Sequence, residues 1–567
     1  MSFDRFQRIS ITTLAATISL ALPLRATEPG PEHKRLPPQL WTPSRNVQVR
    51  LPPRPFPSSV AELARLPLSP TLAHAMSASL FPSHPIGSTS DIESATSPAP
   101  GVAPGIGRSN LRFAVKPDLT VSDADTTNTS LLDSPHEVTE PAVIESRIFN
   151  THTRAYNYTG YTAFMRFTTP NDIKPLVRIA TTSNFVNWSL DTPPISLGDP
   201  LPGGSAFNQS GDVQFASQPY QNGLHPYRVY CVGTTFNMTN HRGDTEISVW
   251  YTDNAGATWG RYAGINPRVG NPNVYDFDDK PTIAVSWNTS TFGYAYVALT
   301  ETTTTNQIHV YALNPTTDQW EFRATPVTGF YIQCPRLDVN PTDGTLYLTW
   351  LDWQNDTISV ATSSDQGVSW SSPSQQTFPS GPLLGPPAND LICSTNCVEA
   401  RSMLMTRFNK TSSALEVVYH IRQGTAGAAV MENRFASGSW GTPARVSSNL
   451  SHDQWNGAVD CAPDGTCVVS YYDFDRQSFS TPITYRLYAR HLYTVPAESD
   501  TLLYKTTEAS DPSRYTLFSN LYYYLGEYQD IWYYDWNGTN FNGIWNAGSV
   551  YIQSGDNKGD VRFTRAR

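Results

Sequence analysis

Long helix-forming segments are what this 567-residue chain most lacks, since runs rich in Lys, Glu and Ala are almost absent and only 16% of residues are charged. That argues against helical bundles and coiled coils. Positive charge is also short: the formal net charge is −10 and no basic stripe occurs, which argues against nucleic acid as a partner. Beyond Leu24 there is no apolar run long enough to span a bilayer as a helix, and no run of like charge long enough to form a tail. Cysteine is sparse, at six residues, and no His lies near any of them at zinc-finger spacing. The H-E-x-x-H helix, the G-x-S-x-G elbow, the phosphate loop and the dinucleotide fingerprint are all missing. His136-Glu137-Val138-Thr139-Glu140 comes nearest to the first and lacks the second His.

Aromatic residues, at 12%, and turn formers, with 45 Pro and 35 Gly, are plentiful. Together with many Thr, Asn and Asp they point to an all-β protein of short strands and tight turns. The N-terminus orders Arg5 and Arg8, the apolar run from Ile9 to Leu24, and the small residue of Leu24-Arg25-Ala26. That is the order of a secretory signal over 1–26, with a buried first helix as the other reading. An exported, extracytoplasmic protein is therefore expected. Residues 27–140 are rich in Pro, Ser and Thr and read as an irregular arm, with one short helix at Val60–Leu66 and one strand at Leu111–Val115.

Ser363-Ser364-Asp365-Gln366-Gly367-Val368-Ser369-Trp370 follows the strand-like run Ile358–Thr362. Asp365 is spaced to accept backbone N–H groups and close a turn, and Gly367 accepts a positive φ. Ser363 can satisfy a further backbone group, while Trp370 folds back as an apolar lid. The unit recurs after Ile247–Tyr251, with Asn254, Gly256 and Trp259 in the equivalent places, and in vestigial form from Thr181 to Trp188. Seven opening strands recur at roughly 50–70 residues, a spacing that marks an array of supersecondary units. They begin near Ile144, Asp212, Asp279, Cys334, Arg401, Trp455 and Gly526. Two stacked β-sandwiches would account for the hairpins but not for the long period.

On these units the chain resembles the sialidase-like superfamily, with its Asp-box (BNR) repeats on a β-propeller, over 141–567. The resemblance implies six or seven four-stranded blades, and seven repeat units are counted. It places function where inner strands begin, at a central funnel. The implied substrate is carbohydrate or a glycoconjugate. Arg336, Arg401 and Arg147 resemble the arginines that grip an acidic sugar, through planar bidentate recognition of carboxylate. Tyr528 beside Glu527 resembles the nucleophile pair, Glu399 is an alternative partner carboxylate, and Asp278 or Asp279 an acid. Lys280 and Asp453 complete the expected substrate-binding set. The F/Y-R-I-P signature of sialidases is missing, because Cys334-Pro335-Arg336-Leu337 has the residues in another order and Ser146-Arg147-Ile148-Phe149 lacks the Pro.

The expectation is a glycoside hydrolase. A non-catalytic glycan-binding or adhesion propeller, with Trp455 and Trp532 stacking on sugars, and a lyase acting on uronic-acid polymers are the alternatives. No cofactor is expected beyond a structural calcium ion at Asp123-Ala124-Asp125 or Asp276-Phe277-Asp278-Asp279. A monomer is expected. Cys461 and Cys467 flank a hairpin turn and Cys393 and Cys397 a short loop, so both pairs are expected to form disulfides, with Cys231 and Cys334 left open.

Overall fold

Short alternating runs separated by Asp-Gly, Asn and Pro turns bury themselves most readily as twisted antiparallel sheets packed face to face. The computed structural model describes residues between 129 and 566. The first 128 residues, the segments 168–174, 219–226, 270–276, 384–390, 475–484, 493–500, 506–521 and 535–543, and shorter loops fall outside the description. The expected signal, helix and arm strand lie there. Among the described residues every regular element is a β-strand.

Six blades follow one another along the chain. Their inner strands are Glu137–Asn150, Gln209–Ser217, Phe277–Val285, Ile332–Val339, Met405–Asn409 and Asp453–Cys461. Each pairs antiparallel with the next strand outward, and each blade has four or five strands. A further sheet sits between the last blade and the first. It runs in the order Thr129–Leu131, Lys558–Ala566, Ile544–Gln553, Asp530–Tyr534 and so joins the two ends of the array. Its strand Asp530–Tyr534 touches the inner strands of blades 6 and 1, which closes the ring. The seven units counted in the sequence thus correspond to six blades of continuous chain and this closing sheet. Closure removes the exposed edges that an open array would leave.

The core is a ring of clusters between blades rather than a single centre. Val232, Ile247 and Val249 of blade 2 pack on Ile283, Val297 and Leu299 of blade 3. Ala298, Ile308 and Val310 of blade 3 pack on Leu346, Leu348 and Trp350 of blade 4. Trp455, expected on the rim, is wholly buried between blades 5 and 6, where its indole fills the space beside Val418 and Val430.

The Ser363–Trp370 turn forms as its spacing requires. Gly367 N donates to Ser363 Oγ (2.9 Å), Ser369 N to Asp365 Oδ1 (2.9 Å) and Trp370 Nε1 to Gly367 O (3.0 Å). The Asn254 turn reproduces this, with Gly256 N donating to Thr252 Oγ1 (3.0 Å) and Thr258 N to Asn254 Oδ1 (2.9 Å). Both turns pack on the preceding blade, since Trp259 meets the Tyr161 ring edge-on at 6.0 Å and Trp370 lies against the blade 3–4 cluster. A Cβ at Gly256 would come within 2.7 Å of Thr181, so close approach as well as its positive φ requires glycine there. The Cys461–Cys467 disulfide is present, across directly opposed positions of one hairpin. Cys231 and Cys334 are buried thiols in blades 2 and 4, and Cys393 lies outside the described residues.

Candidate functional site

Inner strands all begin at one end of the ring, here called the mouth. In blades 1, 2, 3, 4 and 6 the inner strand slips register with its neighbour shortly after it begins. In four of them a side-chain-bearing residue takes a positive φ within the slip: Asp212 (53°), Lys280 (49°), Cys334 (56°) and Asn456 (47°). Such bulges re-aim side chains and are common beside functional sites. The sequence signal is faint: a Pro at 141, 281 and 335 directly after the bulged position.

Asp212 and Lys280 form an ion pair across blades 2 and 3. Gln333 Nε2 of blade 4 donates to Asp279 Oδ2 (3.2 Å), and Lys280 N donates to Asp279 Oδ1 (3.0 Å). Consecutive inner strands are thereby stitched at the mouth by polar groups, each less than one-tenth exposed. Asp279 and Lys280, both expected in the site, come together here. Asp212 and Gln333 are additions that sequence reasoning did not select.

Directly beside them Asp278 and Glu301 stand opposite each other on neighbouring strands. Asn266 Nδ2 reaches Asp278 Oδ1 at 2.8 Å and Glu301 Oε2 at 3.3 Å, which holds those two oxygens within about 6 Å of one another. Arg268 Nη1 lies 3.1 Å from Glu301 Oε1, and His309 Nε2 lies 2.9 Å from Glu301 Oε2. Burial pushes the Tyr311 phenol up to about 12, and the negative charges of Asp278 and Glu301 add to this. Tyr311 therefore acts as a neutral donor, to Asn266 Oδ1 (3.4 Å).

The same frame recurs three blades on. Gln454 stands opposite Asp473, as Asp278 does opposite Glu301, and Arg445 again comes from the end of the preceding blade. Here His452 Nδ1 lies 2.6 Å from Asp473 Oδ1, and Gln454 Nε2 donates to Asp473 Oδ2 (3.0 Å). Asp453 accepts the N–H of Ala428 (2.8 Å) from within the core.

Farther along the inner strands, between blades 4 and 5, Arg336 Nε donates to Leu404 O (2.5 Å). Asp338 accepts Phe408 N (2.8 Å) and Asp530 accepts Val143 N (3.0 Å). Arg407 pairs with Asp460 (2.6 Å) and lies 4.6 Å from the centre of the Trp532 ring, so a guanidinium already stacks on Trp532. Desolvation raises the Asp338 carboxyl to about 6, against Arg407 and two backbone N–H groups, and raises Asp530 to about 7.

Arg147 lies on the inner strand of blade 1, and Glu399 on Cys397–Glu399 in a small sheet with Leu391–Ile392 and Tyr522–Tyr523. Arg401, Glu527 and Tyr528 are outside the described residues. Among the described residues no cluster of three or more His, Cys, Asp or Glu side chains could hold a metal ion.

No protein-family model and no curated protein matches the sequence. Solved structures do. One is the α-L-arabinofuranosidase Arb93A of Fusarium graminearum, 10% identical over 78% of this chain and 97% of that one, with a TM-score of 0.41. The Hadza microbial sialidase Hz136 is 12% identical over 59% of this chain and 63% of its own, at 0.37. The Penicillium chrysogenum α-L-arabinanase is 13% identical over 59% and 89%, at 0.34. The likeness is one of fold. Ring closure and blade order within the chain itself establish the propeller.

Proposed function

We propose that this propeller is an exported glycoside hydrolase working at the mouth between blades 2 and 3. The observation that carries the reading is the separation of Asp278 and Glu301, whose facing oxygens lie within about 6 Å. Glycosidases need two carboxyl groups flanking the scissile bond, ~5–5.5 Å apart when configuration is retained and ~6.5–9.5 Å when it is inverted. Arg268 and His309 both address Glu301, which suits it to carry negative charge and act as nucleophile or base. Asp278, opposite Glu301 on the neighbouring strand, is assigned as the acid that protonates the leaving oxygen. Asp279, Lys280 and Asp212 line the adjoining wall with groups that bond sugar hydroxyls. Arg147, Arg401, Glu399 and the Glu527–Tyr528 pair stay in the proposal on the residues alone, whereas Arg336 is taken up by the Leu404 carbonyl and Asp453 by the Ala428 N–H.

The test is incubation of the mature protein with sialyllactose, galacturonic acid oligomers, arabinan fragments and cello-oligosaccharides, with released sugars read by mass spectrometry. Asp278→Asn and Glu301→Gln should each lower release by about 10²-fold or more. An unsaturated product would mean a lyase. Retention of a glycan without release would mean a binding module.

A further inference from the structure

Large apolar side chains left in water are few among the described residues: Val269, Phe322, Phe330, Val368 and Leu450. Strands alternate direction within a blade, so segments that lead from a blade's last strand to the next inner strand lie on the mouth face. Val269, Phe330 and Leu450 all occupy such segments, after Ile265–Arg268, Gln319–Gly329 and Ala444–Arg445. Val368 belongs to the Ser363–Trp370 turn at the opposite end, and Phe322 to an outermost strand.

Phe330 stands out by its setting. It is 57% exposed and occupies a two-residue turn, Phe330–Tyr331, that ends directly at the inner strand of blade 4. Three residues on, Gln333 donates to Asp279. Tyr331 has φ 61°, a conformation that a bulky side chain adopts only under strain. The turn is tied down where it enters the inner strand, because Trp353 N donates to Tyr331 O (3.2 Å) and Asn306 Nδ2 donates to Ile332 O (3.0 Å). A rigid, strained turn thus presents an apolar ring to solvent beside the polar mouth.

The geometry points to Phe330 as a sugar-stacking subsite, whose ring receives the apolar C–H face of one glycan residue. The inference rests on the proposed reading of the mouth as a carbohydrate site, but it does not require that the sugar be cleaved. A pre-ordered ring loses little conformational entropy on binding, so stacking is converted into affinity with small loss. The platform lies at the blade 3–4 border, and the Asp278–Glu301 pair at the blade 2–3 border. A bound glycan therefore extends over more than one residue, from Phe330 towards Arg268.

Phe330→Ala and Phe330→Trp are compared with wild type on the four glycans named above, by turnover and by calorimetry. Phe330→Ala should raise KM or Kd about tenfold, equivalent to ~1.4 kcal/mol. Its kcat and its melting temperature should stay close to wild type. Phe330→Trp should restore affinity, and its indole emission should shift when the glycan is added. An unchanged KM and Kd in Phe330→Ala would overturn the subsite while leaving hydrolysis intact. Binding that depends on Phe330 without any release would uphold the subsite and overturn hydrolysis. A wild-type protein that binds none of the four would overturn both.

Discussion

Asp530 shows what the loss of water does to a single half-buried carboxyl. Its carboxyl caps the backbone N–H of Val143 in blade 1 and of Ile531 next to it, within the electrostatic reach of Arg336 and Asp460. Burial outweighs the two N–H bonds and raises its pKa to about 7, and Asp338 is raised by the same cause to about 6. A carboxyl with a higher pKa folded than unfolded binds its proton more tightly in the native chain. The stability it contributes is therefore full below its unfolded value of ~3.9, and is lost as pH rises through about 6 for Asp338 and about 7 for Asp530. Asp365 works in the opposite sense. Desolvation opposes its charge, but hydrogen bonds from Ser369 and Ser363 win and lower its pKa, so its contribution is lost only as pH falls through that lowered value. We expect urea midpoints of wild type to fall between pH 5 and 8 and those of Asp530→Asn to be flatter over that range. Parallel profiles would remove Asp530 from the account.

The Ser363 hydroxyl is acceptor to Gly367 N and donor to Asp365 Oδ1, so Ser363→Ala leaves a buried N–H without its acceptor. A loss of about 1–3 kcal/mol is expected by denaturant titration. Asn254→Asp should change stability by no more than about 0.5 kcal/mol, because Asn254 already accepts from Thr258 N as Asp365 does from Ser369 N. The disulfide closes a hairpin with a sequence separation of 6. Loop-closure entropy assigns a contact of that span about 2 kcal/mol, so Cys461→Ala paired with Cys467→Ala should lower the unfolding free energy by that amount. These elements were readable in the chain because their information is local. The Asp, Gly and Trp spacing of the turn, the Asp-Gly corner between Cys461 and Cys467, and the alternation of each inner strand all lie within a dozen residues.

At the scale of the whole molecule, the closing sheet holds the ring together. Ile531 belongs to the blade 5–6 cluster, Trp532 lies under Arg407, and Asp530 caps blade 1. A chain ending before Asp530 would open the contact between blades 6 and 1 and expose the sides of both inner strands. Calorimetry should then show a lower and broader transition, and size-exclusion chromatography should show self-association through the bared strands. A sharp transition at the wild-type temperature would mean that blades 1 to 6 close without it.

What the chain specified by itself was the architecture: all-β character, seven opening strands, two well-formed corner turns and one hairpin disulfide. Period-two alternation and turn chemistry act between near neighbours, so composition and spacing suffice to express them. Which charged residues meet was decided only by the tertiary structure. Asp278 and Glu301 are 23 positions apart and share a ligand in Asn266 only because blade 2 ends where blade 3 begins. Arg336 and Trp455 have side chains suited to a binding site. The ring directs the first to the Leu404 carbonyl and the second into the core, because bulges and blade packing, absent from any local pattern, set where each side chain points.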